Sequence, residues 1–76
     1  MIIRDCTTNK TLNVVKIEID GDSFGWDIWY MDEEMEYHHE TTVEVLKSDK
    51  RFDNFIKQII KFKNYGLYYK FNYVIE

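Results

Sequence analysis

Residues 32 to 40, DEEMEYHHE, place five carboxylates and two adjacent histidines together with no lysine or arginine among them. Imidazoles and carboxylates ligate divalent metals and carry protons, so this stretch is the first place to look for chemistry. The spacing argues against one shared ion. On a strand His38 and His39 point to opposite faces. On a helix Glu34 and His38 share a face, but a third ligand must come from elsewhere, and HHETT is not the HExxH pattern of zinc proteases. The stretch DGDSFGWD, from Asp20, begins like a calcium loop. It fails where Phe24 and Met31 stand in ligand positions, and it suits a hairpin turn better. Cys6, Ser23 and Ser48 have no local pattern joining them to a histidine. The expectation is a protein that is not an enzyme, with no metal and no cofactor.

The acidic character extends well beyond the nine residues. Positions 17 to 46 hold ten acids and no lysine or arginine, whereas the flanking segments are both net positive around an overall charge of −4. Segregation of this kind bears on partners and association rate.

These side chains need elements to position them. Ile2 and Ile3 read as a first strand that turns at Thr7 to Lys10. In LNVVKIEID, Val15, Ile17 and Ile19 alternate with Lys16, Glu18 and Asp20, the period of a half-buried strand. Gly21 and Gly25 supply turn chemistry. WDIWYM then continues with Trp26, Ile28 and Tyr30 on one face and Asp27, Trp29 and Met31 on the other. Residues 32 to 39 admit two readings. One is a helix; the other, favoured by Thr41-Thr42-Val43, is a turn at Asp32 to Met35 followed by one long strand, Glu36 to Leu46. The strand reading puts Tyr37, His39, Thr41, Val43 and Val45 inward and Glu36, His38, Glu40, Thr42 and Glu44 outward.

A helix is expected from about Asp49 to Asn64, because Phe52, Phe55, Ile56, Ile59 and Ile60 follow helical spacing behind a Ser48 or Asp49 cap. Gly66 is the expected C-terminal stop. LYYKFNYVI closes the chain as a strand with Leu67, Tyr69, Phe71, Tyr73 and Ile75 on its core face. The predicted fold is α+β: two layers, a mostly antiparallel sheet of four or five strands with one helix on one face, in the order β-β-β-β-α-β. A right-handed crossover would set the last strand parallel to the third and make the sheet mixed.

One small domain, 1 to 76, accounts for all of this; a chain this short buries only about 60% of its unfolded surface. Thirteen aromatic residues help a small core, and pairing with a second copy would add to it. The single cysteine permits no internal disulfide, and MIIRDC lacks the features of a signal peptide. Both point to the cytoplasm, the host's if the chain is phage-encoded.

The outward set, Glu18, Asp20, Asp27, Trp29, Met31, Glu36, His38, Glu40 and Glu44, is the candidate partner-binding surface. Aromatic and methionine anchors ringed by charge are what protein interfaces use, and closely spaced carboxylates can imitate nucleic-acid phosphates. The expected partner is a protein with a basic surface, of the kind that handles nucleic acid; membrane contact is not expected. The alternative is a small nucleic-acid-binding module using the helix stripe Lys50, Asn54, Lys57 and Lys61. In size, acidity and absence of catalytic motifs the chain is similar to the small inhibitors that phages encode against host nucleases, the anti-restriction and anti-CRISPR proteins. That similarity implies an anti-defence role and assigns no residue.

Overall fold

The structure, a computed structural model, describes residues 1–22, 24–64 and 70–76, with side chains omitted for 62–64. The elements are β1 (Ile2–Asp5), β2 (Lys10–Asp22), β3 (Gly25–Asp32), β4 (Tyr37–His39), a 3-10 turn (Glu40–Thr42), β5 (Val43–Lys47), α1 (Lys50–Asn64) and β6 (Lys70–Ile75). The α+β architecture is as expected, with six strands and one helix among the described residues. Every described pairing is antiparallel, including β6 on β2, so the mixed-sheet variant is excluded. The Gly66 stop and the start of the last strand, Leu67 to Tyr69, lie outside the described residues.

β2 is the spine. Its first part, Lys10 to Asn13, pairs with β1, and its remainder pairs with β3, while Ile17 to Asp22 also pairs with β6. The register of β2 on β3 slips between Val14 and Lys16, a bulge that changes which residues face inward. Before it Leu12 and Val14 pack against the core; after it Ile17 and Ile19 do. Val15, expected inside, is the bulged residue and is 45% exposed.

The anticipated single strand from Glu36 to Leu46 is two strands. The 3-10 turn at Glu40–Thr42 divides it into β4 and β5, which lie at opposite ends of the order β4-β3-β2-β1-β5. In a flat sheet those ends would be about 19 Å apart. The four steps from His39 to Val43 reach only about 14 Å at full extension. The sheet therefore curls, and His38 of β4 reaches Asp5 of β1, two strands beyond its neighbour, at 2.8 Å.

The core lies between the inner sheet face and the helix. Ile3, Ile17, Ile19, Ile28, Tyr30 and Ile75 from the strands meet Phe55 and Ile59 from α1, with Tyr73 stacked on Phe55 at 4.5 Å. Asp49 caps the helix, accepting from Arg51 N at 2.7 Å, and Lys50, Asn54, Lys57 and Lys61 are exposed as the stripe predicted. No described helix is long and apolar enough to cross a membrane.

Gly21 is the one glycine the hairpin demands. Its φ is +157°, and a methyl group there would overlap the Gly25 carbonyl oxygen and lie 2.6 Å from Trp26 Cα. Gly21→Ala is expected to cost on the order of 2 kcal/mol, seen as a lower urea midpoint with an unchanged slope. Gly25→Ala, which meets nothing within 4 Å, serves as the neutral control.

Candidate functional site

The outer sheet face follows from alternation. Because Ile17, Ile19, Ile28 and Tyr30 face the helix, Lys16, Glu18, Asp20, Asp27, Trp29 and Met31 face away from it. The register sets them in cross-strand rows: Glu18 opposite Trp29 and His39 beyond, Asp20 opposite Asp27, and Lys16 opposite Met31 with Tyr37 beyond. Two carboxylates directly opposite each other repel, a cost in stability of a few tenths of a kcal/mol or more. His39 eases it, its Nε2 lying 3.1 Å from Asp27 Oδ1 while its ring sits edge-on to Trp29 at 4.5 Å. Trp29 remains 39% exposed. The face is not uniformly acidic, since Lys16 sits beside Glu18 at 3.5 Å and contacts the Tyr37 hydroxyl at 3.3 Å.

Five of the nine predicted interface residues thus share this face: Glu18, Asp20, Asp27, Trp29 and Met31. Glu40 reaches its rim through the 3-10 turn, close to Asp27 and His39. Burial pushes its carboxyl above the usual value; His39 works against the shift and Asp27 reinforces it. Glu36 lies in the turn before β4, and Glu44 lies on β5, where Arg4 donates to its carboxylate. His38 is the clear inversion. Placed outward by the expected long strand, it pairs with Tyr30 and points inward, while His39 takes the outer position.

Inside, His38 is held from both sides. Its Nδ1 is 2.8 Å from Asp5 Oδ2 and its Nε2 is 2.8 Å from Asp32 Oδ2. The three side chains are only 5 to 11% exposed. Each aspartate is anchored by its other oxygen: Asp5 Oδ1 accepts from Thr7 N and Thr8 N, and Asp32 Oδ1 accepts from Glu34 N and Glu36 N. These are the side-chain-to-backbone turns that aspartate makes at strand ends. Met35, with φ +66°, completes the turn after Asp32.

With a carboxylate at each nitrogen, the fitting state is an imidazolium donating twice. Burial alone would pull the His38 pKa down, but the hydrogen bonds and charges of Asp32 and Asp5 outweigh it, and the net shift is upward. The bond to His38 is the main reason both Asp5 and Asp32 stay below the ordinary carboxylate value, with the backbone amides adding to it.

Sequence reasoning missed this array because its members come from β1, β3 and β4. The available signal was the pair of aspartate-led turns, DCTTN and DEEM. Among the described residues two sets of three donor groups lie within 4.8 Å of one another, Asp27–His39–Glu40 outside and Asp32–Glu36–His38 inside. Each histidine serves its own set, as opposite faces require. Cys6 is exposed, its thiol facing Arg4 O at 4.0 Å. No family model matches the chain, and no curated protein or solved structure matches it.

Proposed function

We propose that this chain is a non-enzymatic binding protein whose outer sheet face occupies a positively charged site on a protein that handles nucleic acid, in the manner of a phage-encoded inhibitor acting in the host cytoplasm. The observation that carries the reading is the directly opposed pair Asp20 and Asp27 beside the exposed Trp29. A face kept only for solubility has no use for a repulsive pair next to a partly exposed indole. A basic groove would relieve the repulsion and bury the ring. The strand spacing of about 4.8 Å sets these charges apart by a distance of the same order as successive phosphates.

The test is capture of partners by the tagged chain at low and high salt, followed by competition between the chain and DNA or RNA for each captured protein. The double variant Asp20→Lys, Asp27→Lys is expected to keep the circular dichroism of the fold and lose at least about tenfold in affinity. Equal capture by the variant, or partners whose nucleic-acid binding the chain leaves untouched, would refute the reading. Direct retention of the chain itself on DNA would instead favour the exposed Lys50, Lys57 and Lys61 stripe of α1.

A further inference from the structure

The inner array opens into a cleft of about 190 Å³, lined beyond the array itself by Thr8, Lys10, Leu12 and Glu34. That is room for an ion and several waters, at about 30 Å³ for each water. One ring nitrogen of His38 and one carboxylate oxygen each of Asp32 and Glu36 lie within 4.8 Å of one another.

Asp5 supplies a separate part from a different strand. By holding Nδ1 it fixes the ring and aims Nε2 toward Asp32 and Glu36, the arrangement in which a carboxylate backs a metal-bound histidine. Two backbone amides on each aspartate fix both carboxylates in advance, so little conformational freedom is left to lose on binding. Asp5, Asp32, Glu34 and Glu36 give the cleft an excess of negative charge over His38 and Lys10.

We propose that Asp32, Glu36 and His38 bind a divalent first-row transition ion, with Asp5 as the orienting carboxylate. One imidazole with two carboxylates suits an ion such as Zn²⁺, whereas Ca²⁺ and Mg²⁺ are held by oxygen ligands. Binding exchanges a proton for the ion. The Nε2 proton leaves to solvent, its electron pair becomes the bond to the metal, and Nδ1–H goes on donating to Asp5. The outer set lacks this backing, since His39 Nδ1 faces the Thr41 hydroxyl and the Asp27 side chain is 68% exposed. It serves as an internal control, and the proposal is independent of what the outer face binds.

The experiment titrates the full chain with Zn²⁺ by calorimetry in two buffers of different ionisation enthalpy, with the imidazole resonances followed by NMR. The expected result is one equivalent bound, about one proton released, His38 signals shifted and His39 signals unmoved. Glu36→Gln alters an exposed turn residue outside the histidine clamp and so spares the fold. It is expected to weaken Zn²⁺ binding by roughly tenfold or more. His39→Gln leaves the affinity unchanged. No binding, binding reported by His39 in place of His38, or full affinity in Glu36→Gln would overturn the proposal.

Discussion

His38→Ala is expected to destabilise the metal-free protein by about 3 kcal/mol, because it leaves two nearly buried carboxylates facing each other with no cation between them. A domain of this length has a total stability of only roughly 4 to 11 kcal/mol, so the melting temperature should drop by roughly 15 °C. The cost arises from the uncompensated partners as much as from the lost contacts, and this gives the prediction a second arm. His38→Gln combined with Asp32→Asn removes the cation together with one of the anions it neutralises and restores a neutral hydrogen bond. It should recover a substantial part of the loss. A loss below about 1 kcal/mol in His38→Ala would show that the clamp contributes little.

Stability should also form a plateau in pH, bounded on both sides by the same three groups. His38 has a folded pKa above its ordinary 6.5, so its contribution is complete below about that value and disappears as pH rises through the folded one. Asp5 and Asp32 have folded values below 3.8, so theirs is present above 3.8 and is lost as pH falls through the folded values. Glu40 runs the other way on the acid side, its raised value making protonation favour the folded form. Tyr30 is pushed up to about 12 by burial and adds a separate decline above pH 10. The check is a series of urea unfolding curves across pH with a chelator present. His38→Gln should abolish the decline just above pH 6.5 and retain the one above 10. A wild-type profile flat from neutral to mildly alkaline pH would contradict the assignment.

What the sequence made legible, and what it did not, divides along physical lines. Local periodicity carried the β2–β3 hairpin, the helix with its Asp49 cap and the opposition of Glu18, Asp20, Asp27 and Trp29 to the core face. Phase breaks left no such trace. The bulge at Val15 and the 3-10 turn at Glu40–Thr42 each shift the inward parity by one residue, and neither has a strong composition of its own. Thr41-Thr42-Val43 favours strand by propensity, so a continuous strand was the natural reading, and it carried His38 to the wrong face. The turn after Asp32 in fact closes with Asp32 N donating to Glu36 O, which pairs even-numbered residues with even-numbered ones and so sends His38 inward with Tyr30. The buried aspartates were hidden for another reason. Acids are ordinarily surface residues, and the contact between Asp5 and His38 spans 33 positions, beyond any local pattern.

Curling the sheet also bears on the strand edges that the chain presents. An open sheet exposes unpaired backbone donors and acceptors along both outer strands, an invitation to edge-to-edge aggregation. This chain has no proline to blunt such an edge and is 17% aromatic. At the two ends of that order, β4 is only three residues long and β5 five, the latter bearing Glu44 and Lys47. β6, paired only to β2, is a further edge among the described residues, six residues long and beginning at Lys70.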